Sequence, residues 1–295
     1  IDTRLSGFNG QAGLGDDYII GGAGGYTGDT KIDGGAGFDY FIATTAPIET
    51  VLNSDNIVID RNGVIVDLSS SKVTYLGASP SADDDVENTA YFLGTTADDK
   101  FVGSARYETE NSLQVFAPSG GRDEIFGAEV EIHPITNEVF EATTVVDYNS
   151  VQGGQGAVFI LDGNSNIVNG EVSYSVQDGS NIGDNTGSDW NNWLPAADWV
   201  LNQGSAPGFI STTSQFDAEK DGATVILDTF GYVDLAFNVD YYIGSDTSDL
   251  FLGANEDDIF NAALGTDNVM IGGDGQDELV VSDYNDSEPD SNIDL

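Results

Sequence analysis

The chain has 295 residues, and its 51 Asp and Glu against 8 Lys and Arg give a formal net charge of −43. Such an acidic chain repels itself when compact, which argues against nucleic acid or anionic lipid as a partner and favours cations. The absence of cysteine excludes disulfides and thiolate metal sites, and no apolar run approaches the roughly 20 residues of a transmembrane helix. With 37 glycines and 10% aromatic residues, we expect a folded chain rich in tight turns rather than a disordered acidic tail.

Residues 1–42 form the first predicted element, a segment of short glycine- and aspartate-rich repeats. Residues 34–42 fit the nonapeptide pattern G-G-x-G-x-D-x-U-x, in which U is a large apolar residue. Incomplete copies precede it, and because Lys31 stands in the apolar position of one copy, we expect Ile32 to point inward there. The candidate metal-binding residues of this segment are Gly13, Gly15, Asp17, Gly22, Gly24, Asp29, Gly35, Gly37 and Asp39. Since the repeats begin so close to Ile1, we expect the chain to be a piece of a longer polypeptide.

A strand-bearing linker over residues 43–93 and a middle block of turns over residues 94–127 are expected next. The alternation of Val64 and Val66 predicts a strand in the linker. The middle block repeats the spacing of an aspartate two residues before an apolar residue, at Asp99 with Phe101 and at Asp123 with Ile125. We therefore place Asp99 and Asp123 among the candidate metal ligands.

Residues 128–243 are predicted to be a second linker of the same kind, enlarged by an insert over about 163–220. Val158 and Ile160 predict a linker strand that corresponds to the first one. The insert holds all 3 tryptophans of the chain. Trp190 and Trp193 are candidates for stacking on a sugar or a partner, and the alternative is that the tryptophans cap an open end or side of the fold.

The C-terminal block, residues 244–281, has the most regular spacing and is followed by an acidic tail over residues 282–295. Its aspartates are nine, nine and ten residues apart, at Asp249, Asp258, Asp267 and Asp277. Successive turns should lie on opposite edges, so alternate aspartates should share an edge. The candidate metal-binding residues of this block are Asp249, Asp258, Gly265, Asp267, Gly273, Gly275 and Asp277.

The residue types of the nonapeptide have a physical reason. Glycine allows a positive φ and a close approach of backbones, so six residues can form a tight turn whose carbonyl groups face inward. The aspartate adds a carboxylate, and two stacked turns then offer an all-oxygen shell that suits Ca²⁺ at about 2.3–2.6 Å. The remaining three residues form a short strand whose apolar side chain enters the core. The alternative for the same residues is a solenoid without calcium, or glycine-rich loops between ordinary strands.

Catalytic chemistry finds little support in the sequence. His133 is the single histidine, and there is no cysteine, which excludes H-E-x-x-H zinc sites and cysteine nucleophiles. No serine lies in a G-x-S-x-G elbow, and a triad through His133 has no local signature. Because acidic residues are everywhere, no particular pair indicates glycoside chemistry. We expect a protein that is not an enzyme.

These repeats and their linkers resemble the hemolysin-type calcium-binding repeats of the RTX family. The linker order of that family, which runs from Asp-Tyr through a Gly-Val-x-Val-x-Leu strand to a restarting Gly-Ser/Thr repeat, recurs at 39–103 and again at 147–253. The resemblance implies an all-β fold, a parallel β-roll or β-solenoid with inserted loops, that holds several Ca²⁺ ions. It also implies export through type I secretion and an extracellular location.

Three functions are compatible with this pattern. The first is a secreted structural or adhesive protein of a surface layer or matrix, which folds and assembles on binding extracellular Ca²⁺. The second is the RTX segment of a larger secreted enzyme with catalysis elsewhere. The third is a carbohydrate-binding module that uses the tryptophan-rich insert. The expected partners are calcium ions, further copies of the chain or a cell-surface glycan, with no nucleic acid and no transmembrane segment.

Overall fold

The fold is known from a computed structural model. It describes residues 9–22, 30–44, 51–52, 58–59, 63–76, 83–109, 112–121, 123–149, 157–161, 165–168, 171–174, 224–228, 233–247, 249–253, 258–263, 268–272 and 275–280. Over these ranges the regular structure is all β, with parallel sheets and no α-helix. The expected fold class is confirmed at this level.

The strands are short, as expected for repeats in which three residues of nine form the strand. In chain order they are β1 (Asn9–Leu14), β2 (Tyr18–Gly22), β3 (Thr30–Ala36), β4 (Tyr40–Thr44), β5 (Val51–Leu52), β6 (Val58–Ile59), β7 (Val64–Asp67), β8 (Lys72–Tyr75), β9 (Asp83–Glu87), β10 (Tyr91–Leu93), β11 (Lys100–Val102), β12 (Leu113–Ala117), β13 (Glu124–Phe126), β14 (Glu131–Ile132), β15 (Val139–Phe140), β16 (Thr143–Asp147), β17 (Val158–Ile160), β18 (Ser165–Val168), β19 (Glu171–Tyr174), β20 (Thr224–Leu227), β21 (Val233–Phe237), β22 (Tyr241–Ile243), β23 (Leu250–Leu252), β24 (Ile259–Asn261), β25 (Val269–Ile271) and β26 (Glu278–Val280).

The first of two compact units comprises Ile1–Asp147 and Tyr232–Asp240. Its strands form one sheet in the order β1-β3-β9-β8-β7-β11-β13-β21 and another in the order β2-β4-β10-β12-β16. Apart from the antiparallel pairs of β8 with β7 and β9, the pairs recorded in these two sheets are parallel. From β1 to β4 and again from β9 to β13, consecutive strands alternate between the two sheets, because each turn carries the chain across from one to the other.

The second unit comprises Tyr148–Gly231 and Tyr241–Leu295. Here β20, β17, β23 and β25 are neighbours in one sheet, and β22, β24 and β26 are neighbours in another. The strands from β22 to β26 again alternate between sheets, and they pair in parallel with their neighbours of the same sheet. Alternate turns therefore share an edge, as predicted for Asp258 and Asp277.

The core includes the apolar residue that follows most turn aspartates by two positions. These side chains have no solvent exposure in either unit: Ile19, Phe41, Phe101, Ile125, Phe251 and Phe260. Burial of each contributes about 1.5–3 kcal/mol, so these residues drive the stacking of the strands. Ile32 is also fully buried, while Lys31 is exposed and pairs with Glu87, which confirms the predicted exchange of roles at that turn.

Both linker strands are confirmed. β7 pairs in parallel with β11, and Val64 and Val66 are buried. β17 pairs in parallel with β23, and the buried residue that faces Phe251 in that pair is Phe159. The boundaries predicted for the repeat blocks and the linkers stay predictions.

Two expectations about turn residues are corrected. Phe251 pairs with Met270, so Asn268 and Met270 hold the positions that we expected for Asp267 and Val269. Phe251 and Met270 are 19 residues apart, one more than the 18 that two spacings of nine predict. Gly22 lies at the end of β2, opposite Thr44, instead of in a turn. Its neighbour Gly21 is a packing residue, because a Cβ there would overlap the rings of the core.

The described ranges contain no helix that is long and apolar enough to cross a membrane.

Candidate metal sites at the turns

The turn over residues 34–39 stacks on the turn over residues 13–17 in the first unit. Gly35 and Gly37 have φ values of 100° and 136°, which a residue with a Cβ rarely adopts. A Cβ at Gly37 would lie 2.5 Å from the carbonyl oxygen of Gly15, and one at Gly35 would overlap the carbonyl of Gly13. The backbones of the two turns therefore approach each other more closely than residues with a Cβ would allow. The predicted turn glycines with positive φ are Gly13, Gly15, Gly35, Gly37 and Gly275.

Asp39 is the candidate ligand with the most unusual surroundings. Its side chain has no solvent exposure, and its Oδ1 accepts a hydrogen bond of 2.9 Å from the backbone N–H of Asp17. Its Oδ2 is buried and has no hydrogen-bond partner. Burial raises the pKa of Asp39, and the charges of Asp17 and Asp16 add to this against the lowering effect of the Asp17 N–H. A carboxylate oxygen without any donor is costly in the interior unless a cation or a proton neutralises it.

A second oxygen lies close to this unpartnered atom. A Cβ placed on Gly34 would be 2.5 Å from Oδ2 of Asp39 and closer still to the carbonyl oxygen of Asn88. Because both oxygens are so near one point, they are no more than about 5 Å apart. Two oxygens this close together, one of them a buried carboxylate oxygen without a hydrogen-bond partner, suit a shared hard cation.

The other turn aspartates form a repeated contact that we name the carboxylate ladder. In each case the N–H donor belongs to the backbone of the neighbouring turn, and the acceptor is the carboxylate of a turn aspartate or, in one turn, the amide oxygen of Asn268. In the first unit the donors and acceptors are Val64 to Asp99 (2.6 Å), Asp99 to Asp123 (2.7 Å) and Asp123 to Asp234 (2.9 Å). In the second they are Ala157 to Asp249 (2.7 Å), Asp249 to Asn268 (2.7 Å) and Asp258 to Asp277 (3.1 Å). The carboxylates thus hold successive turns together.

Asp99 has donors on both carboxylate oxygens. The N–H of Thr95 donates to Oδ2 at 2.5 Å, and the Thr95 hydroxyl donates to Oδ1 at 2.9 Å, where the N–H of Val64 also arrives. The side chain is only 3% exposed. Burial raises the pKa of Asp99 to about 6, although the Thr95 and Val64 donors lower it.

Asp249 repeats this arrangement in the second unit. The N–H of Ser245 donates to Oδ2 at 2.8 Å, the Ser245 hydroxyl donates to Oδ1 at 2.7 Å, and the N–H of Ala157 donates to Oδ1. Asp249 has no solvent exposure. Burial raises the pKa of Asp249 to about 6 against these donors.

The first glycine of five turns has a packing role that the sequence reasoning missed. A Cβ on this glycine would overlap Oδ2 of the aspartate five residues later. The pairs are Gly34 with Asp39, Gly94 with Asp99, Gly244 with Asp249, Gly253 with Asp258 and Gly272 with Asp277. The constant spacing of five was the available signal, but we assigned glycine only to backbone conformation and not to making room for a carboxylate.

Several predicted site residues lie outside the described ranges. They are Gly24, Asp29, Gly265, Asp267, Gly273, Trp190 and Trp193. Within those ranges, no three acidic or histidine side chains come together closely enough to hold a metal ion by themselves. Any calcium at these turns would therefore depend on backbone carbonyl oxygens in addition to one or two carboxylates.

His133 lies in the hairpin of β14 and β15. Its Nδ1 accepts a hydrogen bond of 3.1 Å from the backbone N–H of Thr136, and the backbone N–H of His133 donates to the carbonyl of Glu138. The imidazole thus shapes the tip of the hairpin. The same hairpin exposes Ile132, which is 62% accessible, and Ile135, which is 85% accessible.

No protein-family model matches this chain, and no curated protein is significantly similar to it.

Proposed function

We propose that this chain is an extracellular, non-enzymatic calcium-binding protein with a structural or adhesive role. Its turns form a β-roll of the RTX type, which folds when Ca²⁺ binds outside the cell. The proposal rests on the sequence pattern together with the geometry of the turns in the first unit.

The arrangement of the strands supports a roll. Consecutive strands alternate between two sheets in both units, and strands of the same sheet pair in parallel. Each turn is thereby brought onto the turn two strands earlier, as the stacking of residues 34–39 on residues 13–17 illustrates. A roll needs this repetition, because calcium ligands must come from two turns on one edge.

The observation that carries the proposal is the buried Oδ2 of Asp39, which has no hydrogen-bond partner. Asp39 would hold the ion together with carbonyl oxygens of its own turn and its neighbours, of which Asn88 contributes the nearest candidate. Calcium accepts such a shell because it takes six to eight oxygen ligands in flexible geometry. Magnesium is disfavoured, because it demands near-ideal octahedral geometry and gives up its water reluctantly.

The overall charge supports a folding switch. With a net charge of −43, the chain resists compaction where free Ca²⁺ is scarce, as in a cytosol. Outside the cell Ca²⁺ is abundant, and an ion that binds only the folded state stabilises it in proportion to the logarithm of its concentration. Secretion in an expanded form followed by folding outside is the expected sequence of events.

Circular dichroism during a calcium titration tests this proposal. Starting in excess chelator, we expect the β-sheet signal to increase with added Ca²⁺ and to decrease again with chelator. An unchanged, fully folded spectrum after removal of tightly held ions would refute the switch. Light scattering in the same titration reports whether calcium also joins molecules, as a surface layer or matrix requires.

A matched pair of variants assigns the signal to the turn. Asp39→Asn should remove one site, whereas Asp67→Asn should not. Asp67 is a suitable control because Ser69 and Ser70 already donate hydrogen bonds to its carboxylate at 2.6 and 3.0 Å. Terbium provides the readout, since Tyr40 lies next to Asp39 and its excitation should sensitise emission from an ion bound there. Equal terbium emission from both variants would exclude Asp39 as a ligand.

A further inference from the structure

Turns that look alike in sequence differ in what their aspartate contacts. Asp39, Asp99 and Asp249 each follow a glycine by five residues, and in all three turns Oδ2 fills the space where that glycine lacks a Cβ. The second residue differs, however. It is Gly35 in the first turn, Thr95 in the second and Ser245 in the third. The aspartates thus occupy equivalent positions with different neighbours.

The hydroxyl residues complete the hydrogen bonding of their carboxylates. Thr95 and Ser245 each donate twice to the aspartate four residues later, once from the backbone and once from the side chain. Both are buried, Thr95 with 6% exposure and Ser245 with none. With the additional N–H of Val64 or Ala157, each carboxylate has three donors, and both of its oxygens accept at least one hydrogen bond.

Gly35 cannot do the same. It has no hydroxyl, and with its φ of 100° its N–H donates at 3.1 Å to Oδ1 of Asp33 instead of to Asp39. Oδ2 of Asp39 is consequently left without a donor. The residue after the first glycine therefore determines whether the buried carboxylate is closed by hydrogen bonds or open to a cation.

We infer that the Thr95 and Ser245 hydroxyls take the place of the cation in their turns, so that Asp99 and Asp249 bind no calcium and hold the linker strands β7 and β17 in the calcium-free chain. We name these two turns closed turns and the turn of Asp39 an open turn. For the open turn the inference rests on the proposed calcium binding, whereas for the closed turns it does not. It differs from the expectation that every turn aspartate is a calcium ligand, which stays a prediction.

The closed turns occupy corresponding places in the two linker modules. Each follows its module's linker strand, and the carboxylate bonds the N–H of Val64 in one module and of Ala157 in the other. Two segments of the chain would thus keep native contacts before any ion arrives. Calcium would then complete the roll from segments that are already in register.

Amide hydrogen exchange of the full chain in excess chelator tests the inference. The amides of Val64 and Ala157, which bond the closed carboxylates, should be protected without calcium. The amide of Asp17, which bonds Asp39, should exchange fast and become protected only when Ca²⁺ is added. If all three exchange equally fast in chelator and gain protection together, the inference is wrong.

Two conservative variants isolate the hydroxyls. Thr95→Val and Ser245→Ala remove the hydroxyl, which donates to the carboxylate and also accepts from the backbone N–H of Ala97 or Thr247. Each variant should lower the chelator-state protection of its own partner amide, that of Val64 or Ala157, at least tenfold while leaving the other unchanged. If neither variant loses protection of its partner amide, closure of the turn by the hydroxyl is refuted, whether or not the chain binds calcium. If calcium does not bind and does not protect the amide of Asp17, the proposed function fails. A tenfold loss of amide protection in these two variants would still support closure of their turns by the hydroxyls.

Calcium stoichiometry gives the complementary readout. By titration calorimetry, Asp39→Asn should bind one ion fewer than the wild type, and Asp99→Asn and Asp249→Asn should bind the same number as the wild type. The loss of one ion in Asp99→Asn or Asp249→Asn would show that these carboxylates are ligands and would refute the inference. Asp67→Asn is again the control for an effect of charge alone.

Discussion

The calcium-free chain should be more stable at pH 4 than at pH 7, which is opposite to the usual effect of acid on carboxylates. Asp99 and Asp249 have pKa values of about 6, raised by burial from the ordinary 3.8. Between these values the folded chain binds protons that the unfolded chain has already lost. The free energy of unfolding therefore falls as pH rises from about 4 to 6, and it levels off above pH 6.

The size of this change in stability follows from the rise in the two pKa values. A rise from 3.8 to about 6 corresponds to about 3 kcal/mol for each carboxylate, since one pKa unit is worth about 1.4 kcal/mol. The two residues belong to different compact units, so each unit should lose about 3 kcal/mol of stability across this range. That is a large fraction of the 5–15 kcal/mol that typically separates folded and unfolded states.

Urea denaturation at pH 4, 5, 6 and 7 in chelator measures the effect. The midpoint should decrease with pH up to 6 and then become constant. Asp67 supplies the control, because the hydrogen bonds from Ser69 and Ser70 hold its pKa below the ordinary value against the effect of burial, so that it stays ionised in both states over most of this range. Asp67→Asn should therefore leave the decrease between pH 5 and 7 unchanged. A midpoint that increases steadily from pH 4 to 7 would refute the reasoning.

Three substitutions and one control test the packing of the turns. Gly34→Ala should abolish calcium binding at the Asp39 turn and lower the free energy of unfolding by about 1–3 kcal/mol, because the new Cβ would overlap the carboxylate. Calorimetry measures the calcium binding, and urea denaturation measures the stability. Phe101→Ala should cost about 3–5 kcal/mol in the same denaturation assay, whereas Ile135→Ala, at an exposed hairpin tip, should change stability by less than about 0.5 kcal/mol. Asn268→Asp should destabilise the calcium-free chain by about 1–3 kcal/mol, since the Asn268 amide donates to the carbonyl of Ala262 at 3.1 Å.

The sequence predicted the parts of the fold that depend on local geometry. A fully buried Phe101 two residues after Asp99, and a positive φ at Gly37, follow from the nonapeptide alone, because each is fixed within one turn. The linker strand at Val64 was also predictable, since its alternation does not depend on its partner. The metal itself and the extracellular role remain predictions.

The features that escaped prediction depend on residues far apart in the chain. Asp123 donates to Asp234, which is 111 residues away, and no local pattern marks Asp234 as a member of the carboxylate ladder. The shift from Asp267 to Asn268 arises because strand register decides which of two adjacent polar residues faces the neighbouring turn. The left-handed conformations of Asn88 and Asn238, with φ of 52° and 53°, were likewise not foreseen.

The distribution of bases shows why an external cation suits this fold. Each ion pair found in the described ranges joins side chains that are at least two-fifths exposed: Lys31 with Glu87, Lys72 with Asp85, Lys100 with Glu124 and Arg106 with Glu131. These exposed pairs contribute little to stability, and none reaches a buried turn carboxylate. The interior must therefore stabilise its aspartates with hydrogen bonds from hydroxyl and backbone N–H groups, or neutralise them with protons or metal ions. Thr95 and Ser245 supply hydroxyl donors; at Asp39, whose Oδ2 has no donor, we propose that a calcium ion takes this role.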